Sequence, residues 1–427
     1  MRKIVLIAAA TGRDYMIAKQ LMSCKDVELS VIIWSEHDYI RKICNGEYHV
    51  VDLNDIEQVC RIISKIRPEY VIPGQGDILQ HGLTDILNKM NILCLGPPQA
   101  LAKIEGSKTF MREVMNQIDS SLNPKHKDFF EYNNSVLDFI NSFDSDIVVK
   151  CDYVISGPRV KIFSRELEFD EAINISKLWL KKYGHIIIEE FVIGEEISLT
   201  TYTDGTNVLH APLTRNHKRI FEENIGENTS GMGSVTGYNC FDVLPEDTYN
   251  NLKLLNEKVL QTLQNSTGCK YIGSVYGEFI ITKNQIKVIE YNCRFGNPCS
   301  LSIFSLMNFS ILTLMDAIAY KNIDKINNNA FKDLISIAVY AVPKGFTVST
   351  ENVGTEISFE NLKKETFYYG NLQYKDNKYY LKSSRSFAVC DIGNTIEETR
   401  NKVYTELEKV SGNVYYRKDI GICKWLK

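Results

Sequence analysis

Gly277-Glu278-Phe279-Ile280-Ile281-Thr282-Lys283-Asn284-Gln285-Ile286-Lys287-Val288-Ile289-Glu290-Tyr291-Asn292 holds two apolar, β-rich runs on either side of Lys283-Asn284-Gln285. Such runs read as two strands joined by a tight turn. Asparagine tolerates the left-handed backbone that a three-residue hairpin loop needs at one position. A loop centred on Asn284 makes Thr282 face Ile286, Ile280 face Val288 and Glu278 face Glu290. Side chains alternate along a strand, so Asn292 shares the face of Glu290. Two carboxylates directly opposite each other repel. A hard cation between them would remove the repulsion, with an amide oxygen and the phosphate oxygens of a substrate completing its octahedron. Glu278, Glu290 and Asn292 are therefore candidate metal ligands. A hairpin whose acidic end is simply solvated would show the same pair, but the Arg294-Phe295-Gly296 that follows is harder to dismiss.

Before this hairpin the chain alternates. Residues 3–10 form an apolar run followed by Thr11-Gly12, and a helical pattern covers about 13–22. Stretches 27–34, 70–73 and 92–95 read as further buried strands, separated by helical stretches near 56–65 and 80–89. Buried strands alternating with helices predict a parallel α/β sheet. This Rossmann-like unit runs over 1–104. A dinucleotide fingerprint needs G-x-G-x-x-G after the first strand, whereas Ala8-Ala9-Ala10-Thr11-Gly12-Arg13 offers one glycine, so a nicotinamide cofactor is not expected. Residues 105–330 mix strands and helices. Residues 331–427 read as a small α+β domain, with a linker at Asn327-Asn328-Asn329. The fold class is thus α/β and α+β multidomain.

Bulk properties exclude several classes. A chain of 427 residues needs two to four domains. A net charge of -4 without a basic run argues against nucleic acid as the main partner. Eleven cysteines with no CxxC pair argue against a disulfide framework or a structural zinc site. No apolar run reaches membrane-spanning length, and residues 1–8 enter a strand without a signal-peptide core. A cytoplasmic protein, monomer or homodimer, with no membrane partner is expected.

Six motifs in order carry a resemblance. Val288-Ile289-Glu290-Tyr291-Asn292-Cys293-Arg294-Phe295-Gly296-Asn297-Pro298 resembles the V-[IL]-E-[FY]-N-x-R-F-G-D-P signature of phosphoribosylamine–glycine ligases, within the ATP-grasp superfamily. Glu189-Glu190-Phe191-Val192-Ile193-Gly194-Glu195-Glu196-Ile197-Ser198 resembles their E-E-F-L-x-G-E-E-x-S, and His217-Lys218-Arg219 the end of Q-D-H-K-R. Gly226-Glu227-Asn228-Thr229-Ser230-Gly231-Met232-Gly233 resembles G-P-N-T-G-G-M-G; Gly106-Ser107-Lys108-Thr109-Phe110 and Tyr416-Arg417-Lys418-Asp419-Ile420-Gly421 match two further motifs. The resemblance covers nearly the whole chain. It implies a pre-ATP-grasp domain at 1–104, an ATP-grasp domain pair at 105–330 with a lid subdomain at about 125–195, and a C-terminal domain at 331–427. It also implies ATP and Mg2+ (or Mn2+), with an amine and a carboxylate as small-molecule substrates. Lys108 and Lys150 would contact ATP phosphates. Glu189, Glu190, Phe191 and Val192 would form the adenine hinge, with the Glu189 carboxylate reading the base, and Glu196 would hold the ribose. Lys218 and Arg294 would neutralise the transferring phosphoryl group, where such chemistry needs positive charge. Gly12, Arg13, Asp77, Asn228, Thr229, Ser230, Gly231 and Asn297 would face the substrates.

The departures lie mostly on the substrate side. The lid pattern K-x-D-G-L-A-x-G-K-G-V appears as Lys150-Cys151-Asp152-Tyr153-Val154-Ile155-Ser156-Gly157-Pro158-Arg159-Val160, keeping one glycine, with Arg159 a replacement for the lost lysine. The loop G-x-G-G-R-E-H becomes Ala9-Ala10-Thr11-Gly12-Arg13-Asp14-Tyr15, and G-P-E-x-P-L becomes Gly74-Gln75-Gly76-Asp77-Ile78-Leu79. A ribose-binding acid is therefore absent at Gly76. These losses lead to the expectation of an ATP-dependent carboxylate–amine ligase with altered amine or acid specificity. The alternatives are the family's usual purine-pathway reaction and a non-catalytic nucleotide-binding relative.

Overall fold

The computed structural model describes residues 1–152, 160–165, 168–241, 244–326 and 329–422. The expected lid loop at 153–159, with Gly157 and Arg159, lies outside them, as do residues 327–328 of the linker.

The first unit is a parallel sheet of β1 (Arg2–Ala8), β2 (Val27–Ile33), β3 (Tyr48–Val50), β4 (Tyr70–Pro73) and β5 (Leu93–Cys94), in the order β3-β2-β1-β4-β5. Ile4, Val5, Leu6 and Ile7 of β1 are all fully buried, as a parallel strand covered on both faces requires. The short β3 lacks an apolar run and was not expected from the sequence. Helix Gly12–Leu21 follows β1, and helices Gln99–Gly106 and Lys108–Ile118 lead out of the unit.

A small sheet then carries its own core. It contains β6 (His126–Phe129), β7 (Ile147–Cys151), β8 (Val160–Phe163) and β9 (Ile186–Glu190), in the order β6-β9-β7-β8. Phe129, Val136, Ile140, Ile147, Phe163 and Trp179 pack together beneath it, separately from the other cores.

The largest layer is a ten-stranded sheet. Its path uses β10 (Glu195–Thr203), β12 (Thr214–Arg219), β13 (Asn228–Thr236), β14 (Gly273–Ile281), β15 (Ile286–Asn292), β16 (Ile335–Pro343), β18 (Phe367–Tyr369) and β21 (Phe387–Gly393). The order is β15-β14-β10-β12-β13-β16-β21-β18, with β11 (Val208–His210) paired to β10 and β23 (Val414–Tyr415) to β16. The expected hairpin and the C-terminal region thus share one sheet through the β13–β16 pairing. A four-stranded sheet of β17 (Glu356–Phe359), β19 (Leu372–Lys375), β20 (Lys378–Leu381) and β22 (Val410–Gly412) completes the C-terminal region.

The hairpin register differs from the sequence expectation near its turn. Thr282 N donates to Gln285 O at 2.9 Å, closing a two-residue loop of Lys283-Asn284. Thr282 Oγ1 accepts from the amides of Asn284 and Gln285 at 3.3 and 3.0 Å, and Asn284 does not adopt a positive φ. A threonine-held turn replaces the left-handed asparagine. Ile280 therefore faces Lys287, and Phe279 faces Val288. A bulge at Ile289 then restores the face, and Glu278 lies opposite Glu290.

Candidate active site

A cleft of about 1210 Å³ opens between the N-terminal unit, the small sheet and the ten-stranded sheet. Among the expected residues, Arg13, Asp77, Lys108, Lys150, Lys218, Asn228, Thr229, Ser230, Gly231, Glu278, Glu290, Asn292, Arg294 and Asn297 line it. Gly12, Glu189, Glu190, Phe191, Val192 and Glu196 lie outside that lining.

The centre of the cleft is a charge cluster built on the hairpin. Lys218 Nζ lies 2.8 Å from Glu196 Oε1 and 3.9 Å from Glu290 Oε1, and contacts Glu278 Oε2 directly. Lys108 Nζ lies 2.7 Å from Glu290 Oε2. Burial together with the neighbouring Glu290 and Glu196 pushes the Glu278 carboxyl up to about 7, against the pull of Lys218. Burial also works against ionised Glu290, but Lys108 and Lys218 hold it well below the usual carboxylate range. Despite burial, the three carboxylates hold Lys218 firmly protonated.

An ammonium group thus occupies the space between the two hairpin acids, as the repulsion argument requires of some cation. No closed cage of three or more His, Cys, Asp or Glu ligands forms among the described residues. Two carboxylates and the amide of Asn292 instead make an open, oxygen-only set. That donor set suits an ion which keeps positions for phosphate oxygens.

A second cluster sits behind the first. Glu189 is buried on β9, and Arg112 forks onto it through Nε at 2.8 Å and Nη2 at 2.9 Å. Lys150 Nζ lies 2.5 Å from Glu189 Oε2. Burial alone would raise Glu189, but the two cations hold it down to about 2, and burial lowers Lys150 to about 8. Sequence reading gave the Glu189 carboxylate to the adenine; here Arg112 and Lys150 engage both of its oxygens. Arg112 also donates to Val288 O at 2.6 Å, tying the small sheet to the hairpin. In the expected hinge, Glu190 accepts from the Lys125 amide at 3.2 Å and the Phe191 amide donates to Asp146 O at 3.0 Å. Phe191 and Val192 are half-buried.

At the substrate end, Asp14 accepts from the amides of Ala9 and Thr11 at 2.8 and 3.0 Å. Two amides of the loop where glycines were expected are therefore satisfied internally. Arg13, expected against substrate, is 2% exposed and donates to Asp14, to Phe295 O at 2.6 Å and to Gly74 O at 2.5 Å. It fastens the N-terminal unit to the loop after β15. Gly12 starts its helix against the Tyr340 hydroxyl, which a side chain there would strike. Gly231 has φ 107, and a Cβ there would strike the Pro298 ring, a combination only glycine accommodates. Asn297 Oδ1 accepts from Tyr340 Oη at 2.8 Å. Among the described residues Arg294 makes long contacts, 3.4 Å to Phe295 O, 3.5 Å to Glu105 and 3.5 Å to Asn292 Oδ1.

Three site residues escaped sequence reading. Arg112 lies four residues beyond Lys108 on one helix, a spacing that puts both on one face. Glu105 lines the cleft three residues before Lys108. Arg385 donates from Nη1 to Ser230 O and Gly231 O at 2.8 and 2.9 Å, and stacks 4.7 Å above the Tyr340 ring. Nothing local in Ser384-Arg385-Ser386 marks it.

Comparison with known proteins agrees with this architecture. Family models for phosphoribosylglycinamide synthetase match three successive regions: the N domain over 3–105, the ATP-grasp (A) domain over 106–300 and the C domain over 336–423. The chain is 31% identical over 443 residues to a phosphoribosylamine–glycine ligase of Methanococcus maripaludis, covering 99% of this chain and 97% of that one. A Methanobrevibacter smithii relative of the same name is 31% identical over 428 residues, covering 98% and 96%. The crystal structure of phosphoribosylamine–glycine ligase from Thermotoga maritima superposes with a TM-score of 0.78 at 23% identity, covering 98% of this chain and 100% of that one. The fold is the three-domain ATP-grasp architecture, and the molecule is an ATP-dependent ligase. The chain belongs to the phosphoribosylamine–glycine ligase family.

Proposed function

We propose that the protein joins glycine to phosphoribosylamine, with conversion of ATP to ADP and phosphate. The observation that carries this reading is the end-to-end similarity to relatives of that name, combined with a cleft that gathers Lys108, Lys218, Glu278, Glu290, Asn292 and Arg294. The altered specificity anticipated from the sequence has weaker support. It rests on the internally satisfied loop amides of Ala9 and Thr11 and on the missing acid at Gly76. The same reading divides the chain at 1–104, 105–330 and 331–427 and places it in the cytoplasm. Among the described residues no helix is long and apolar enough to cross a membrane.

In the reaction, a glycine carboxylate oxygen attacks the γ-phosphorus of ATP. The bond to the bridging oxygen breaks, releasing ADP and leaving glycyl phosphate. The amine nitrogen then attacks the acyl carbon, phosphate departs with the bonding pair, and the nitrogen loses a proton. Mg2+ or Mn2+, held by Glu278, Glu290 and Asn292, would offset negative charge on the phosphate oxygens. Lys218 and Arg294 set positive charge beside the transferring group. Lys108 and Lys150 contact the nucleotide phosphates, and Glu196 the ribose. The hinge at 189–192 would take the adenine through its remaining backbone groups, since Arg112 and Lys150 engage the Glu189 carboxylate and the Phe191 amide donates to Asp146 O. Asn228, Thr229, Ser230, Gly231 and Asn297 border the acyl phosphate, which must be shielded from water.

A direct assay tests the reading. ADP release with Mg-ATP is measured across amines and amino acids, and product is identified by mass. Phosphoribosylamine with glycine is expected to be the fastest pair. Background ADP release with that pair, alongside rapid turnover of another, would return the altered-specificity reading.

A further inference from the structure

A guanidinium carries five N–H groups in a fixed planar fork, and Arg112 finds an acceptor for each. Nε and Nη2 take the two oxygens of Glu189 at 2.8 and 2.9 Å. Nη1 reaches Val288 O at 2.6 Å and Asn123 Oδ1 at 3.3 Å, and Nη2 reaches Ile289 O at 3.4 Å. Two of these acceptors are carbonyls of β15, so the protein alone fixes the place of the guanidinium. Arg112 is buried and lies outside the lining of the cleft. Lys150 meets the same carboxylate from the cleft. Its Nζ lies 2.5 Å from Glu189 Oε2, and its side chain borders the cleft although it is only 7% exposed. Glu189 Oε2 thus serves two cations. Stripping a buried carboxylate of its sole cation is costly, because an uncompensated charge stays behind. Glu189 escapes that cost: with Lys150 gone, Arg112 still holds both oxygens.

We propose that Arg112 is a positioning residue for nucleotide binding: by neutralising Glu189 from the interior, it releases the Lys150 ammonium to move onto a phosphate oxygen. The proposal rests on the reading of Lys150 as a phosphate contact. Arg112 itself touches no phosphate and acts through Lys150. The planar fork is essential to this role, because a lysine at the same place is a point charge and cannot hold both Glu189 oxygens. Without the fork, Lys150 stays on Glu189 and the phosphates lose a partner. An Arg112 that only braced the hinge to β15 would instead affect every adenine-bearing ligand alike.

The test is a double-substitution cycle on the full-length protein, read by calorimetry with two probes, Mg-ADP and adenosine. Lys150→Met alone should weaken Mg-ADP about tenfold, the scale of one charge-assisted hydrogen bond, and leave adenosine within about twofold. Arg112→Lys alone should weaken Mg-ADP by a similar factor and again spare adenosine. Adding Lys150→Met to Arg112→Lys should then cost less than about threefold, because Lys150 is already withdrawn from the phosphates. Arg112→Gln, which donates to Glu189 without bringing charge, goes through the same cycle and should behave alike, so the test survives if one of the two variants does not fold. Equal weakening of adenosine and Mg-ADP by the Arg112 substitutions, or full additivity with Lys150→Met, overturns the inference. The reading of Lys150 fails separately: if Lys150→Met alone leaves Mg-ADP untouched, that contact is wrong and the inference falls with it. A tenfold effect of Lys150→Met that is simply additive with Arg112→Lys removes the inference and leaves the phosphate contact standing.

Discussion

Glu290 is held ionised by Lys108 and Lys218, whereas Glu278 is driven by burial and its like-charged neighbours toward the neutral form. Replacing Glu290 with Gln should lower kcat by about 100-fold or more, the scale of losing one preorganised charge partner in a water-poor site. Melting temperature should fall as well, because Lys108 and Lys218 lose the carboxylate that they hold ionised, although the apolar hairpin remains paired. Turnover and a thermal melt on one preparation check both halves. Glu189 supports a different prediction. Its folded-state value of about 2 lies below the ordinary 4.5, so its stabilisation is complete above pH 4.5 and is lost as pH falls toward 2. A shift of that size corresponds to about 3 kcal/mol. Urea unfolding of Glu189→Gln should show a deficit of about that size at pH 7, shrinking steadily below pH 4.5; a deficit independent of pH would count against the ion-pair account. Glu278, Glu290 and Asn292 were legible because one hairpin contains them all. Glu105 and Arg385 were not, because their partners at Cys293 and Ser230 lie far away along the chain.

The start of helix Lys108–Ile118 depends on a strand end. Ser107 Oγ accepts from the Phe110 amide at 3.1 Å, and Asp152, just beyond β7, accepts from the Ser107 hydroxyl at 2.8 Å and from the Lys108 amide. The helix that presents Lys108 to the cleft is therefore capped by the small sheet. Asp152→Ala should cost about 1 kcal/mol of stability, because the Ser107 hydroxyl and the Lys108 amide lose their acceptor, and raise KM for ATP more than KM for glycine. Steady-state kinetics with each substrate varied will decide this; equal changes in both KM values would remove the link between cap and nucleotide. The hairpin shows how far element-level reading reached. Its strands and facing acids were readable from alternation, but its register was not. A threonine-closed loop and a bulge each shift pairing by one residue, and their combined effect leaves Glu278 opposite Glu290. The β3 strand escaped because Tyr48-His49-Val50 has too few apolar residues to stand out from a loop.

Across the whole molecule, the small sheet with its own core contrasts with the ten-stranded sheet that binds the remaining units together. Stability should be correspondingly uneven. Amides of β6–β9 are expected to exchange hydrogen faster than those of β10, β12 and β14, and Mg-ATP should slow the former selectively. Hydrogen exchange with mass readout, with and without nucleotide, measures this. Uniform exchange rates across the two sheets would show a single cooperative unit instead. The C-terminal segment should behave with the large sheet, because Arg417 is fully buried, pairs with Asp419 and donates to Arg219 O at 3.0 Å, beside Lys218.

The pairing of β13 with β16 has a consequence for synthesis on the ribosome. β13 ends at Thr236, and its partner does not emerge until Ile335 and beyond. Throughout that interval the nascent chain presents a strand edge with unsatisfied amides and carbonyls, the usual template for sticking to a neighbouring chain. The waiting strand reads Asn228-Thr229-Ser230-Gly231-Met232-Gly233-Ser234-Val235-Thr236, with only Met232 and Val235 strongly apolar. Short apolar, β-prone windows drive such sticking, and this edge lacks one. The part of this strand that waits for β16, Gly233–Thr236, thus carries a single strongly apolar residue, Val235.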